Sequence, residues 1–507
     1  MDLHSVFSWF MKKRLHQIDL FRKYPIEVQN EVFEKLIAMG KTTEFGKDHH
    51  FSQTMAQTDF REQVPLQTYE EVKPYVKRLQ QGEQNLLWST PINWFAKSSG
   101  TTSDKSKFIP VSREALEDCH YKAGKDLLAM YNQNHPNNKV YNGKSLVLGG
   151  SSQLNEFRKD SYYGDLSAII INNLPFWVEM KRVPEREIAL MDKWEPKIEK
   201  MAQSVKDENV TNIAGVPSWT LVLMKRILEL TGKNNIREVW PNLELYMHGG
   251  VSFEPYQKQF EKLIPDDRIQ YYESYNASEG YFGIQDRAGA QDMLLMLDYG
   301  IFYEFIPIEN VHDENPSTIS LTEVEVGKNY ELVISTNGGL WRYRLGDTVI
   351  FTSIFPFRIK VSGRTKHFIN AFGEELIIDN ADQAIMRTNA ICHCSIQDFT
   401  AAPVYMSDSS QGAHEWLIEF SQPPENLDHF AQVLDAELKK LNSDYEAKRT
   451  GDLSLKMPII RSLPQGTFYN WLKRKGKLGG QHKVPRLSND RKIVEEIISG
   501  MVDLQEQ

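Results

Sequence analysis

Residues 94–112 read WFAKSSGTTSDKSKFIPVS. Residues 92–97 (INWFAK) and 107–111 (KFIPV) have the alternation of strands. Between them Ser98, Ser99, Gly100, Thr101, Thr102 and Ser103 are small and polar, with Lys105 and Lys107 just behind. The stretch therefore joins strand to strand, and a helix is expected to start only after Ser112, a suitable N-cap. A Walker loop, G-x-x-x-x-G-K-[ST], runs from strand to helix and is absent here. Small hydroxyls and exposed backbone N–H groups can wrap an anion, and a lysine can neutralise it. An ordinary solvated hairpin has the same composition. On this stretch alone both readings stand.

Working outward, residues 1–90 are mostly helical by pattern, with turns expected near EFGKDHH and VPLQTYEE. Phe7, Phe10 and Leu15 lie on one side of an amphipathic first helix. From about 90 to 350, strand-like runs (KSLVLGG, LELYMHGG, RIQYYESY) alternate with helix-like ones such as AGVPSWTLVLMKRILELTG, which predicts α/β layering. A β-rich section follows: FYEFIPI, STISLTEVEVG, NYELVIST, DTVIFTS and FRIKVSG. After Gly363 the character changes, with helix-like EELIIDNADQAIMR and DHFAQVLDAELKKL beside strand-like EWLIEFS and LSLKMPII. The expected division is a large domain of layered sheets and helices over 1–362 and a smaller α+β domain over 363–507.

The bulk numbers fit such a two-domain protein. The chain has 507 residues, 41% hydrophobic and 25% charged, with a net charge of −9, and no basic stripe suits a nucleic acid. Three cysteines make no disulfide framework and suit a reducing compartment. Cys392 and Cys394 flank His393, but no second ligand pair at zinc spacing accompanies them, so they read as a thiol pair buried near a strand. The N-terminus lacks the apolar run of a signal peptide, and no stretch of about 18 apolar residues would span a membrane. A cytoplasmic protein is expected, with no protein partner evident.

Four further loops could carry chemistry. In YYESYNASEGYFG, Tyr275 offers a flat face and Glu279 a carboxylate beside Ser278 that could hold magnesium; a strand-end turn with a solvated glutamate reads equally. In GGLWRYRLGDTVIF, Asp347 is placed at a turn just before a strand. A carboxylate there can accept both hydroxyls of a ribose, or merely close an Asx turn. Arg364, after a glycine in KVSGRTKHFINAFGEELI, is placed to meet a phosphate or ribose. Lys483, behind two glycines in GKLGGQHKVPRL, could reach a cleft or simply be solvated. Gly249 and Gly250 end the strand-like YMHGG, which suits close backbone approach to a ligand. Tyr162, Tyr163, Trp177 and Trp219 could line a pocket for an organic acid or simply pack a core.

The order of these loops resembles the adenylate-forming superfamily of acyl-CoA synthetases, peptide-synthetase adenylation domains and luciferases. SSGTTSDKSK is similar to its phosphate loop, YNASE to its Y-G-x-T-E element, YRLGD to its Y-x-x-G-D element, and GRTKHFINAFGEEL to its hinge motif, with HGG before YNASE. Within the superfamily the chain most resembles the auxin-responsive GH-three family of acyl-acid–amido synthetases, in SSGTTSDKSKFIPVS, YNASEGYFG, WRYRLGD and QHKVPR, from about Thr43 to the end. It departs in having Ser103–Asp104 where a glycine is usual and Asn276 where many relatives have Gly or Ala. Its GRTK is closer to acyl-CoA synthetases.

The resemblance implies a two-step ligase. A carboxylic acid and ATP would give acyl-AMP and pyrophosphate; an amine, typically an amino acid, would then take the acyl group and release AMP. Ser98, Ser99, Gly100, Thr101, Thr102 and Lys107 would meet the phosphates. Gly249, Gly250, Tyr275, Asn276, Ala277 and Ser278 would line the adenosine site. Asp347 would hold the ribose with Arg364 nearby, and Glu279 would hold Mg2+. Lys483 would serve the α-phosphate from the small domain, which would turn about Lys366. The alternatives are an acyl-CoA ligase, sharing the first step, and a nucleotide-binding protein without catalysis, which the presence of Glu279, Asp347 and Lys483 disfavours.

Overall fold

The computed structural model describes residues 3–98, 107–149, 154–191, 194–215, 217–249, 253–311, 313–364, 368–369, 376–404, 412–442, 445–446, 449, 455–476, 483–488 and 491–505. The chain divides into two compact units, Met1–Val361 and Ser362–Leu478 with His482–Gln507.

The first unit is built on an 11-stranded sheet. One flank is parallel: Arg182–Val183, Lys144–Val147, Val210–Ala214, Leu245–Gly249 and Gln270–Ala277. Parallel neighbours need crossovers, and the helices Trp194–Val205 and Pro217–Thr231 lie between these strands in sequence. At Gln270–Ala277 the sheet turns antiparallel, through Gly280–Ile284, Met293–Leu295 and Phe357–Arg364. It continues to Tyr343–Ile354, Asn329–Thr336 and Ile301–Pro307. A second sheet of four strands has the order Lys107–Val111, Trp94–Ser98, Ser161–Gly164 and Asn155–Arg158.

The N-terminal helices lie on this unit. In Leu3–Lys23 the buried residues Ile18 and Phe21 belong to the main core, and Leu15 packs against it. Arg14 clamps the helix down. It bonds Asp126 through Nε (2.8 Å) and Nη2 (2.7 Å), and Asp298 through Nη1 (2.5 Å). Lys122 adds its charge 3.0 Å from Asp298, and Tyr299 donates to Asp126 at 2.7 Å.

Three local readings are corrected. EFGKDHH holds a short helix, Glu44–Asp48, capped by the Thr43 side chain. Its Phe45 stacks against Trp341 at 6.2 Å, in a cluster with Phe51, Phe60 and Trp88, so a partner remote in sequence stabilises it. STISLTEVEVG is not a strand: only Ile319 bridges, to Phe305. In LSLKMPII the strand starts late, at Ile459–Leu463, and Leu455 makes an isolated bridge to Gly412.

In the second unit a three-stranded sheet has Ser395–Val404 at one edge, Ala413–Gln422 in the centre and Ile459–Leu463 beyond. Successive side chains on the central strand face opposite ways. Trp416, Ile418 and Phe420 join a core with the helices Ile378–Ile391 and Leu427–Leu441, while Leu417 joins a core with Thr467–Arg474 and Lys492–Gln505. Cys394 is buried just before the edge strand and Cys392 is half-buried. Among the described residues no cluster of three or more His, Cys, Asp or Glu side chains could hold a metal, and no helix is long and apolar enough to cross a membrane.

Candidate active site

The parallel strands of the first unit end at Ala214, Gly249 and Ala277. Ligands of open α/β sheets bind outside such carboxyl ends. Gly249 pairs with Ser274, so the strand carrying YNASE runs past its neighbour through Tyr275, Asn276 and Ala277. A Cβ on Gly249 would lie 2.3 Å from the Ser274 carbonyl oxygen; two backbones meet there, and only glycine fits. The strand then reverses. Ala277 pairs with Gly280, leaving Ser278 and Glu279 as a two-residue turn, with Glu279 half-buried.

Asp347 is not at a turn before a strand. It lies inside Tyr343–Ile354, in a bulge where Leu345, Gly346 and Asp347 stand opposite Leu332 alone. Gly346 has φ +80°, the left-handed conformation that glycine adopts without strain. The bulge is held from upstream. Trp341 Nε1 donates to the Leu87 carbonyl at 3.0 Å. The buried Arg342 side chain donates to Glu304 (3.1 Å), to the carbonyls of Arg61 (2.7 Å) and Val64 (2.6 Å) and to Thr318 (2.7 Å). Arg342 and Arg344, which donates to Glu331 at 2.6 Å, are thus structural members of WRYRLGD.

The two motifs meet. Tyr275 Oη donates to Asp347 Oδ2 at 2.7 Å, and both residues are buried. Tyr275 therefore spends its hydroxyl on aiming Asp347, and Phe282 packs against its ring at 4.9 Å.

The serine-rich stretch joins strand to strand as read: Ser98 pairs with Lys107 across the antiparallel strands Trp94–Ser98 and Lys107–Val111. Lys107 Nζ lies 5.8 Å from the centroid of the Tyr69 ring, whose hydroxyl accepts from the Phe108 N–H at 2.8 Å. Ser112 caps the helical segment that begins beyond it, accepting from the Ala115 N–H at 2.9 Å and donating to the Asn337 carbonyl at 2.6 Å. Tyr162 and Tyr163 lie on Ser161–Gly164, parallel to Trp94–Ser98. Tyr163 stacks on Phe157 at 4.2 Å and meets Phe108 edge-on at 5.4 Å, forming an aromatic cluster on this sheet.

The helix expected after Ser112 is present, but sequence reasoning missed the π turn within it. Residues Ala115–His120 form a π-helix before the α-helix Tyr121–Asn134. Such turns are rare and cluster at functional sites. Cys119 Sγ accepts the Tyr281 N–H at 3.2 Å, tying this segment to the strand after Glu279. Burial pushes the Cys119 thiol up to about 12 and holds His120 down to about 4. Two buried groups thus stay neutral under the site; nothing in residue spacing signals a π turn.

Of the predicted site residues, Ser99, Gly100, Thr101, Thr102, Gly250 and Lys366 lie outside the described residues, as do the side chains of Ser98, Arg364, Trp177 and Trp219. Arg364 is the last residue of Phe357–Arg364. Asn276 is exposed, while Ala277 and Ser278 are half-buried. Lys483 is exposed and belongs to the second unit.

Family models match most of the chain: the GH3 family N-terminal domain over residues 14–269, the central domain over 294–364 and the C-terminal domain over 379–492. The chain belongs to the GH3 family. This GH3 protein is 23% identical to jasmonoyl–L-amino acid synthetase GH3.5 of Oryza sativa subsp. japonica, over 94% of this chain and 95% of the relative. It is also 23% identical to indole-3-acetic acid-amido synthetase GH3.3 of Arabidopsis thaliana, over 94% and 91%. Its fold is similar to that of GH3.15 acyl acid amido synthetase, with TM-score 0.80 and 17% identity over 96% and 95% of the two chains. A 2-hydroxyisobutyryl-CoA ligase in the postadenylation state aligns with TM-score 0.57 and 12% identity over 95% and 92%. The GH3 chain therefore has the adenylate-forming fold.

Proposed function

We propose that this GH3 protein is an ATP-dependent acyl-acid amido synthetase. The reading rests on family membership and on one structural observation: the Tyr275–Asp347 bond joins YNASE and YRLGD at the carboxyl edge of the parallel strands. Residues 1–362 bind ATP and the acid, and 363–507 act as a mobile lid hinged at Lys366.

In the first step a carboxylate oxygen of the acid attacks the α-phosphorus of ATP. An O–P bond forms, the bond to the β-phosphate bridge breaks, and pyrophosphate leaves. Two anions are forced together, so catalysis is charge neutralisation and positioning. Ser98, Ser99, Gly100, Thr101, Thr102 and Lys107 hold the outer phosphates. Asp347, aimed by Tyr275, accepts the ribose hydroxyls with Arg364 beside it. Gly249, Gly250, Asn276, Ala277 and Ser278 flank the adenosine. Glu279, a half-buried carboxylate on a tight turn with Ser278, fits a hard cation with oxygen ligands. Magnesium bound there supplies neutralising charge for the phosphates. Lys483 donates to the α-phosphate as charge develops.

In the second step an amine nitrogen attacks the acyl carbon, the bond to the AMP oxygen breaks, and the nitrogen loses a proton. The relative named as a jasmonoyl–L-amino acid synthetase supports an amino acid as acceptor, and the one named as an amido synthetase supports amide formation. GRTK and the fold likeness to a CoA ligase favour coenzyme A as the second reading. Pyrophosphate exchange over a panel of carboxylic acids tests the first step. Adding amino acids or coenzyme A to the active acids names the acceptor by AMP release. No exchange with any acid would refute the reading.

A further inference from the structure

We infer that Arg486 is a positioning residue for Lys483, acting by pinning the segment Lys483–Ser488 to the edge of the second unit's sheet. The inference rests on the role given to Lys483 above.

Lys483 is exposed, and a lysine is a point charge on a flexible stem. The backbone that carries it sets where that charge can reach. That backbone is fixed on the C-terminal side by a series of contacts within one unit. Val484 is buried in the core with Phe468, Trp471 and Leu472. The Pro485 carbonyl accepts the Thr400 hydroxyl at 2.6 Å. The Ala401 N–H donates to the Arg486 carbonyl at 2.9 Å, and the Ser488 N–H returns a bond to the Ala401 carbonyl at 3.0 Å. Leu487 bridges Ala401 in parallel and is fully buried. The segment thus extends the sheet by a short strand beside Ser395–Val404, whose outer edge would otherwise be open.

The Arg486 side chain closes this attachment. Its guanidinium lies over the Phe399 ring at 4.4 Å, donates to Asp398 and to the Phe399 carbonyl at 3.2 Å, and has Asp382 at 3.8 Å. The planar guanidinium stacks on the ring while its N–H groups bond two acceptors; an ammonium has no plane to stack. Both its carbonyl and its side chain are committed to the same strand, three residues from Lys483. A misplacement of about 1 Å in a group that serves a transition state can cost up to about 100-fold.

The test is a cycle of variants on the full chain. Arg486→Ala is expected to lower the maximal rate of acid-dependent pyrophosphate exchange about tenfold, with the KM for ATP changed less than about twofold. In a Lys483→Ala background the same change is expected to cost nothing further, because it acts through the missing lysine. An unchanged rate in the parent, or an equal loss in both backgrounds, would overturn the inference. If Arg486→Ala does not fold, Thr400→Val, which deletes only the hydroxyl holding Pro485, carries the same cycle. Amide hydrogen exchange over 483–488 reads the attachment without substrate: Arg486→Ala should speed it by about tenfold, and unchanged exchange refutes the pinning. An inactive parent, or a Lys483→Ala protein as fast as the parent, would instead fault the functional reading, leaving the exchange result to judge Arg486.

Discussion

The Tyr275 hydroxyl donates to Asp347 Oδ2 at 2.7 Å, joining two motifs that lie on separate strands of the main sheet. A buried carboxylate that accepts this hydroxyl is aimed, and its loss should be felt by the ligand it faces. Asp347→Asn is expected to raise the KM for ATP about tenfold, the scale of a charged hydrogen bond, and the KM for the acid much less. Tyr275→Phe should move the same parameter in the same direction by a smaller factor. If only the acid KM moved, Asp347 would not be the ribose ligand. Steady-state kinetics with each substrate varied in turn decides this.

Lys483→Ala should cut acyl-adenylate formation by roughly 10²–10³, the effect of removing one transition-state donor. Pyrophosphate exchange at the parent rate would dismiss the assignment.

Gly249→Ala places a methyl group 2.3 Å from the Ser274 carbonyl oxygen, where the obstacle is backbone. The two parallel strands must part, so the variant should lose about 1–3 kcal/mol of stability and bind ATP more weakly. Melting temperature and ATP titration report the two effects. An alanine variant that melts like the parent would show that the strands yield easily.

His120 is buried, and that burial lowers its pKa from 6.5 to about 4. The unfolded chain takes up this proton below about 6.5, and the folded chain only near 4. The neutral histidine's contribution is therefore fully present above 6.5 and is lost as pH falls toward 4, on the order of 3 kcal/mol in all. Denaturation of the parent and of His120→Gln, compared from pH 7 to 4, should show a shallower loss in the variant. Parallel curves would mean that His120 does not titrate differently on folding.

Arg14→Leu should destabilise the protein by about 3 kcal/mol, because it strands Asp126, whose side chain is fully buried. Adding Asp126→Asn should recover part of the loss, since the orphaned charge is removed. Melting curves of the single and double variants measure it, and a double variant worse than the single would contradict the pairing.

Much of the fold was written in local pattern. The run of apolar and β-branched residues placed FYEFIPI, NYELVIST and FRIKVSG on strands, and Ile301–Pro307, Asn329–Thr336 and Phe357–Arg364 are those strands. The failures share a cause: the deciding partner is far along the chain. Glu44–Asp48 is helical because Phe45 finds Trp341. STISLTEVEVG alternates like a strand, yet beyond the Ile319 bridge it has no pairing. Ser395–Val404 is a strand although Gln397, Asp398 and Pro403 are poor strand formers; Asp398 accepts from Arg486, far along the chain. At the candidate site, motif order singled out Tyr275, Glu279 and Asp347, and the structure bonds Tyr275 to Asp347, but composition made Leu345–Gly346–Asp347 look like a turn. A bulge opposite Leu332 is a property of two strands in register, which one strand's sequence does not contain.

The π-helical segment Ala115–His120 has a consequence for how the chain tolerates changes in length. A π turn takes up one more residue than the α turn it replaces, so deleting a single residue there should close it into regular α-helix and leave both flanks in phase. Ser112 would still cap the start, and Ala123, Leu127 and Met130 would still face the core they now fill. What the deletion would forfeit is the alignment of Cys119 with the Tyr281 N–H. The same deletion a few residues later, inside Tyr121–Asn134, would rotate every following side chain by about 100° and turn the core face outward. The segment is thus the one place along this helix where the reading frame of packing can slip by a residue without being lost.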